Sequence, residues 1–134
     1  MQIIVFTLNE KYYAIETDKV EEISKKIPST TVPNSPNWVE GLINLRGNVV
    51  TLLNLSKLLQ QDEGICYNNI IIINNEEEKV GLMVREVTKV MDIKPESIQK
   101  VTKDIVDGII GIIQIDEVII NIIDIKILLS KNEG

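Results

Sequence analysis

The chain has 134 residues, 44% of them apolar, which is enough to bury one sizeable hydrophobic core or two small ones. Its formal net charge of −6 argues against a nucleic-acid-binding protein, which typically has a basic surface, and against docking on anionic lipid. It contains no histidine and one cysteine, which excludes an internal disulfide and argues against a zinc site or an activated thiolate dyad.

The first half of the chain predicts a series of strands joined by short turns. Apolar segments rich in isoleucine and valine and bounded by turn residues are typical of strands. The predicted elements are strands at Ile3–Leu8 and Tyr12–Glu16, a short helix capped by Thr17-Asp18 and running through Val20 and Ile23, a strand at Ser24–Ile27, strands at Gly41–Leu45 and Val49–Leu55, a helical turn at Lys57–Leu59 capped by Ser56, and a polar linker at Gln60–Gly64.

The second half predicts the same series again. Its predicted elements are strands at Ile70–Ile73 and Lys79–Val84 with a turn at Asn74–Glu78, a short helix at Glu86–Val90 running on as a strand to Ile93, strands at Val106–Ile115 and Val118–Ile123 with a turn at Asp116-Glu117, and a closing helix at Ile125–Ser130 capped by Asp124. The elements of both halves therefore follow one order.

Two apolar runs in the first half are separated by Arg46-Gly47-Asn48, in which Gly47 suits the positive φ of a tight turn. The pattern predicts a β-hairpin with Arg46 at its tip. A solvated turn residue and a functional arginine are equally compatible with this position.

An internal repeat supports the idea of two equivalent halves. A numbering offset of 67 aligns Val20 with Val87, Pro28 with Pro95 and Gly41 with Gly108, and after the hairpin turn an offset of 70 aligns Asn54 with Asp124. Two copies of a five-stranded unit predict two small β-barrels, because barrel closure protects the edges of isoleucine-rich strands. The halves span approximately residues 1–64 and 65–134.

The repeat also separates residues that the barrel needs from residues that it does not. At these offsets Glu22 aligns with Lys89 and Arg46 with Ile113, so the acid and the arginine occur together in the first half only. We expect Glu22 and Arg46 to form an ion pair with a role outside the barrel itself. The alternative is an ordinary surface ion pair worth ~0–1 kcal/mol.

The central stretch resembles the signature of the CheW-like domain family. The resemblance rests on the run V-P-N-S-P-N-W-V-E-G-L-I-N-L-R-G-N-V-V-T-L-L-N-L, from Val32 to Leu55, and on the segments I-I-V-F-T-L, Y-Y-A-I-E and D-K-V-E-E-I that precede it. Together these cover nearly all of the chain. Thr51 stands where the family often has proline, and Asn54 where it often has aspartate.

This resemblance implies a mainly β fold of two SH3-like five-stranded barrels packed together, with short helices including a C-terminal one, and it allows strands to be exchanged between the barrels. It also implies a non-catalytic adaptor that couples the cytoplasmic tip of methyl-accepting chemoreceptors to the regulatory domain of the histidine kinase CheA. The positions that match the family's receptor-coupling motif are Val20, Glu22, Gly41 and Arg46, whereas no kinase-binding residue is assigned. No cofactor, metal, nucleic acid or direct membrane insertion is expected.

The predicted compartment is the cytoplasm. Cys66 cannot form an internal disulfide, the chain opens with strand-like residues, and the apolar run Ile109–Ile113 is far too short to span a bilayer. Two alternatives keep the same fold: a scaffold of a related pathway, such as pilus motility or development, and a small β-barrel that binds an oligonucleotide or a metabolite.

Overall fold

The computed structural model describes residues 1–61, 66–75, 78–100 and 108–133, in which the chain forms eleven strands and two α-helices. The strands are β1 Gln2–Leu8, β2 Lys11–Glu16, β3 Val20–Lys25, β4 Val39–Leu45, β5 Asn48–Asn54, β6 Asn69–Asn75, β7 Glu78–Val84, β8 Glu86–Asp92, β9 Gln99–Lys100, β10 Ile109–Ile115 and β11 Val118–Ile123. The helices are α1 Leu55–Leu58 and α2 Ile125–Glu133. The predicted linker at Gln60–Gly64, the predicted turn at Asn74–Glu78 and the start of the predicted strand at Val106 lie partly outside the described residues.

The strands belong to two compact units. The first unit comprises residues 1–18 and 87–134, and the second comprises residues 19–86. The sheet of the first unit has the strand order β8-β1-β2-β11-β10-β9, and the sheet of the second has the order β3-β6-β7-β5-β4. The predicted mainly β fold with few, short helices is confirmed.

The strand pairings show that the internal repeat is structural. Val5 of β1 pairs with Ala14 of β2, and at an offset of 67 Ile72 of β6 pairs with Gly81 of β7. The parallel contacts repeat as well, since Ala14 pairs with Ile122 of β11 and Gly81 pairs with Leu52 of β5. Each unit therefore has the same central sheet, built from strands of both halves of the chain.

The two β-hairpins correct the sequence alignment. Gly41 pairs with Leu52 in the β4–β5 hairpin, and Gly111 pairs with Ile122 in the β10–β11 hairpin, so the offset between the hairpins is 70 throughout. The predicted alignment of Gly41 with Gly108 is therefore wrong. The three additional residues lie ahead of β10, not at its turn, and sequence similarity between isoleucine-rich segments could not locate them.

Two segments predicted as short helices are strands. A 3-10 turn covers only Thr17–Lys19, and Val20–Lys25 then forms β3, while Glu86–Asp92 forms β8. Both segments carry β-branched residues and occupy edge positions, where a neighbouring strand satisfies one side of the backbone. Tertiary pairing therefore overrides the helix-start signal at Thr17-Asp18.

The helix caps are partly as predicted. Asp124 caps α2, because its Oδ1 accepts the N–H groups of Lys126 at 2.9 Å and Ile127 at 3.1 Å. The predicted cap at Ser56 is wrong: α1 begins at Leu55, and Asn54 Oδ1 accepts the N–H of Lys57 at 3.1 Å. Asn54 thus caps α1 in the same way as Asp124 caps α2, the equivalent helix of the first unit.

Leu52, Leu53, Ile71 and Ile73 belong to the hydrophobic core, since each is at most 2% exposed. All four isoleucines of Ile70–Ile73 are buried, which explains why β6 is a continuous apolar run without the polar alternation of a half-exposed strand. Within the described ranges, neither α-helix has the length and apolar composition needed to cross a bilayer.

Candidate functional site

The tip of the β4–β5 hairpin is a two-residue turn of Arg46 and Gly47. Both residues have positive φ, 54° and 84°, as a type I′ turn requires, and Asn44 Oδ1 accepts the N–H of Gly47 at 3.1 Å. Glycine adopts this conformation without steric cost, but an arginine in the left-handed region costs about 1–2 kcal/mol. Asparagine or aspartate is the preferred non-glycine residue there. An arginine that breaks a local preference points to a function beyond the turn.

A β-bulge in β3 directs two neighbouring carboxylates toward the same place. Val20 pairs with Ile73 and Glu22 with Ile72, so Glu21 is an extra residue in this strand. In a regular strand, successive side chains point to opposite faces. Because a bulge reorients the side chains around it, Glu21 and Glu22 both line one cavity of the second unit.

The predicted ion pair between Arg46 and Glu22 is confirmed. Arg46 Nη2 lies 3.1 Å from Glu22 Oε2, and the two side chains are 76% and 26% exposed. The arginine therefore remains open to solvent, while its carboxylate partner is largely covered. A pair this exposed adds little to stability, which leaves the arginine available to a binding partner.

The cavity has a volume of about 250 Å³ and lies entirely within the second unit. It is lined by Glu21, Glu22, Leu45, Arg46, Asn48, Val50, Ile72 and Lys79. A second ion pair, between Lys79 Nζ and Glu21 Oε2 at 3.0 Å, lies at the same cavity. No local sequence signal marks Lys79 or Glu21 as a pair, because their proximity depends on the bulge and on the pairing of β6 between β3 and β7.

The four predicted site residues do not form one cluster. Glu22 and Arg46 are in contact, and Val20 lies two residues before Glu22 on β3, half-buried and outside the cavity lining. Gly41 is buried on β4, five residues before Arg46, and does not line the cavity either.

Gly41 allows a close approach of two backbone segments. Thr30 forms an isolated bridge to Leu42 through two hydrogen bonds of 2.8 Å, and a Cβ on Gly41 would lie only 2.5 Å from the Thr30 carbonyl oxygen. Gly111 has the same role in the first unit, where a Cβ would lie 3.0 Å from the carbonyl oxygen of Gln99. A glycine at this position therefore belongs to the architecture of each unit.

The ion pair between Glu22 and Arg46, in contrast, is not repeated with the same charges at the equivalent positions of the first unit. With the hairpins aligned at an offset of 70, Arg46 corresponds to Asp116, so its predicted alignment with Ile113 is wrong, whereas Glu22 still corresponds to Lys89 at the offset of 67. The charges at both positions are reversed in the first unit. Asp116 has φ 57°, so this unit places a residue that tolerates the left-handed conformation where the second unit places arginine.

Comparison with known proteins gives a consistent result over the whole chain. A family model described as the CheW-like domain matches residues 2–133. A chemotaxis protein CheW from Bacillus subtilis (strain 168) is 34% identical over 139 aligned residues, which cover 99% of this chain and 89% of the relative. A chemotaxis protein CheW from Klebsiella aerogenes is 29% identical over 139 residues, with coverage of 98% and 83%.

A solved structure has the same fold. The crystal structure of the scaffolding protein TtCheW from Thermoanaerobacter tengcongensis superposes with a TM-score of 0.84 at 30% identity. The superposition covers 95% of this chain and 86% of that protein.

Proposed function

Because this chain belongs to the CheW-like domain family, we propose that it is a non-catalytic scaffold that couples methyl-accepting chemoreceptors to the histidine kinase CheA during chemotaxis. Its relatives include a chemotaxis protein CheW and the scaffolding protein TtCheW, and their roles support this proposal. In this proposal the protein acts in the cytoplasm, where it contacts the receptor's cytoplasmic tip and the kinase's regulatory domain.

We place receptor docking at the hairpin tip, with Arg46 and Glu22 as contact residues and Val20 beside them. The observation that carries this assignment is the strained and exposed arginine, paired with Glu22 at 3.1 Å in one unit and replaced by an acid in the other. Gly41 contributes by fixing the backbone of β4 that carries the tip. Arginine suits the role, because its planar group can bind one carboxylate within the protein and still donate to a partner.

The positions of the aromatic residues argue against an oligonucleotide-binding barrel. Phe6, Tyr13 and Tyr67 are buried, Trp38 is half-buried, and only Tyr12 is as much as 37% exposed. Binding to single strands relies on exposed aromatic side chains for base stacking and on a basic groove. The net charge of −6 does not favour such a groove either.

The test of the receptor site is Arg46→Ala, measured by a thermal melt and by pull-down of a receptor cytoplasmic tip fragment. We expect a loss of less than ~1 kcal/mol in stability, since the pair is exposed. Binding should weaken by about 1–2 kcal/mol or more, because a contact at a binding centre costs more when it is removed.

Lys57→Ala is the control, because Lys57 is exposed on α1 and lies outside the cavity lining. The assignment of Arg46 is wrong if the Arg46→Ala variant binds as well as this control, or if it loses its fold. Co-purification with CheA from the same organism tests the other half of the scaffold role, and its absence under conditions where the receptor fragment binds would contradict that half.

A further inference from the structure

Lys79 and Glu21 form the second ion pair at the cavity. Lys79 Nζ lies 3.0 Å from Glu21 Oε2, and the two side chains are 38% and 33% exposed. The carboxylates of Glu21 and Glu22 are adjacent on β3, whereas the cations come from β7 and from the hairpin tip. Two ion pairs therefore line the cavity, not one.

The internal repeat selects this pair by the same criterion that selects Arg46 and Glu22. At the offset of 67, Lys79 corresponds to Tyr12 and Glu21 to Thr88, so neither charge is present in the first unit. The strand pairings around these positions are nevertheless the same in both units, since Asn74 pairs with Lys79 as Thr7 pairs with Tyr12. The sheet therefore forms without the pair.

The chemistry of the rim indicates what Lys79 meets. A lysine ammonium has three donors, and the contact to Glu21 leaves it more than one-third exposed. The two cations and two carboxylates of the lining sum to a formal charge of zero, in a protein of net charge −6, so the cavity is less acidic than the protein as a whole. Each cation keeps solvent-exposed donors beyond its own glutamate, and such donors can bind a partner's carboxylate as a second ligand.

We propose that Lys79, held in place by Glu21, is a second binding residue of the docking surface, and that it meets a carboxylate of the receptor tip. This inference rests on the proposed function, since the partner is the receptor. Glu21 is a positioning residue that orients the ammonium group and has no direct contact with the partner.

The decisive variant is the charge swap Lys79→Glu with Glu21→Lys. The swap keeps the net charge and restores an ion pair of opposite direction, so a purely structural pair would tolerate it. A residue that binds a partner's carboxylate would not tolerate the swap, because the swap puts a carboxylate at position 79 of β7, where it repels that partner. We expect the affinity for a receptor cytoplasmic tip fragment to fall at least about fivefold, with an unchanged thermal melt.

The matched control is the net-neutral swap Lys11→Glu with Glu16→Lys, which changes exposed positions on β2 of the first unit and should leave affinity unchanged. Lys79→Arg should keep affinity within about twofold, because it preserves the positive charge. If the charge swap does not fold, Lys79→Gln removes the positive charge without introducing a new carboxylate at position 79, and it should weaken binding in the same direction.

The outcomes separate this inference from the proposed function. Wild-type affinity in the charge swap overturns the role of Lys79, and Lys79→Gln decides this question if the swap does not fold. If Arg46→Ala loses affinity at the same time, the proposed docking site still stands. Wild-type affinity in both the Lys79 and the Arg46 variants overturns the docking site altogether. Equal losses in the Lys79 swap and in the β2 control would show a nonspecific charge effect and also overturn the role of Lys79.

Discussion

Gly41 and Gly111 show why one residue type recurs in both units. At each position a backbone carbonyl of a neighbouring segment occupies the space that a side chain would need. The requirement is steric and local, so it applies in both units, where the hairpin strand that carries the glycine pairs with the chain segment that precedes it. Gly41 thereby affects the course of β4 toward the hairpin tip, although it does not line the cavity.

We expect Gly41→Val to lower the free energy of unfolding by roughly 1–3 kcal/mol, because a Cβ 2.5 Å from the Thr30 oxygen forces the two segments apart. Gly47→Asn is the control: no atom lies within 4 Å of the Cβ position there, and asparagine tolerates the positive φ. Denaturant unfolding of both variants provides the comparison, and a Gly41→Val protein as stable as the wild type would contradict the close approach.

The β4–β5 hairpin is the element in which local stability and the proposed binding role oppose each other. Its turn requires positive φ at Arg46, which β-hairpins ordinarily meet with asparagine or glycine. The equivalent turn of the first unit has Asp116 at this place, so that unit satisfies the local preference. The second unit instead keeps an arginine, which forms an ion pair with Glu22.

Arg46→Asn should therefore be more stable than Arg46→Ala by about 1 kcal/mol, since both variants lack the ion pair and differ in their tolerance of the left-handed conformation. Both should bind the receptor fragment equally poorly. Parallel thermal melts and pull-downs measure the two effects separately. An Arg46→Asn variant that melts below Arg46→Ala would show that the turn imposes no strain on the arginine.

For the whole molecule, the compact units do not coincide with the repeated halves. Strands β3, β4 and β5 from the first half share a sheet with β6 and β7 from the second half, while β1 and β2 share a sheet with β8 to β11. Without the second half, β5 loses β7 and β3 loses β6, so neither sheet is complete. Each half of the chain therefore depends on the other for its strand pairing.

Fragments 1–64 and 65–134, prepared separately, should consequently lack a cooperative melt and the β-sheet circular dichroism of the intact chain. An equimolar mixture should regain both, because it supplies every strand of both sheets. The intact chain is the reference in the same buffer. Cooperative folding of 1–64 alone would show that the first half forms a sheet of its own, contrary to the observed strand order.

The sequence by itself determined the features that depend on short-range chemistry. Alternating or continuous apolar runs located most strands, Gly47 located the hairpin turn, and Asp124 located the start of the C-terminal helix. The comparison of the two halves singled out Glu22 and Arg46, although it matched Arg46 with the wrong residue of the second half, and their ion pair is confirmed. These signals lie within a few residues of one another, or in a pattern that is repeated along the chain.

Only the tertiary structure decided what depends on pairing between distant residues. Edge pairing converts the predicted helices after Thr17 and Glu86 into strands, and hairpin register aligns Gly41 with Gly111. The bulge at Glu21 and the passage of β6 between β3 and β7 bring Lys79 to the cavity. Lys79 is distant from Glu21 in the sequence and becomes its neighbour only once three strands have paired, and no local preference encodes that contact.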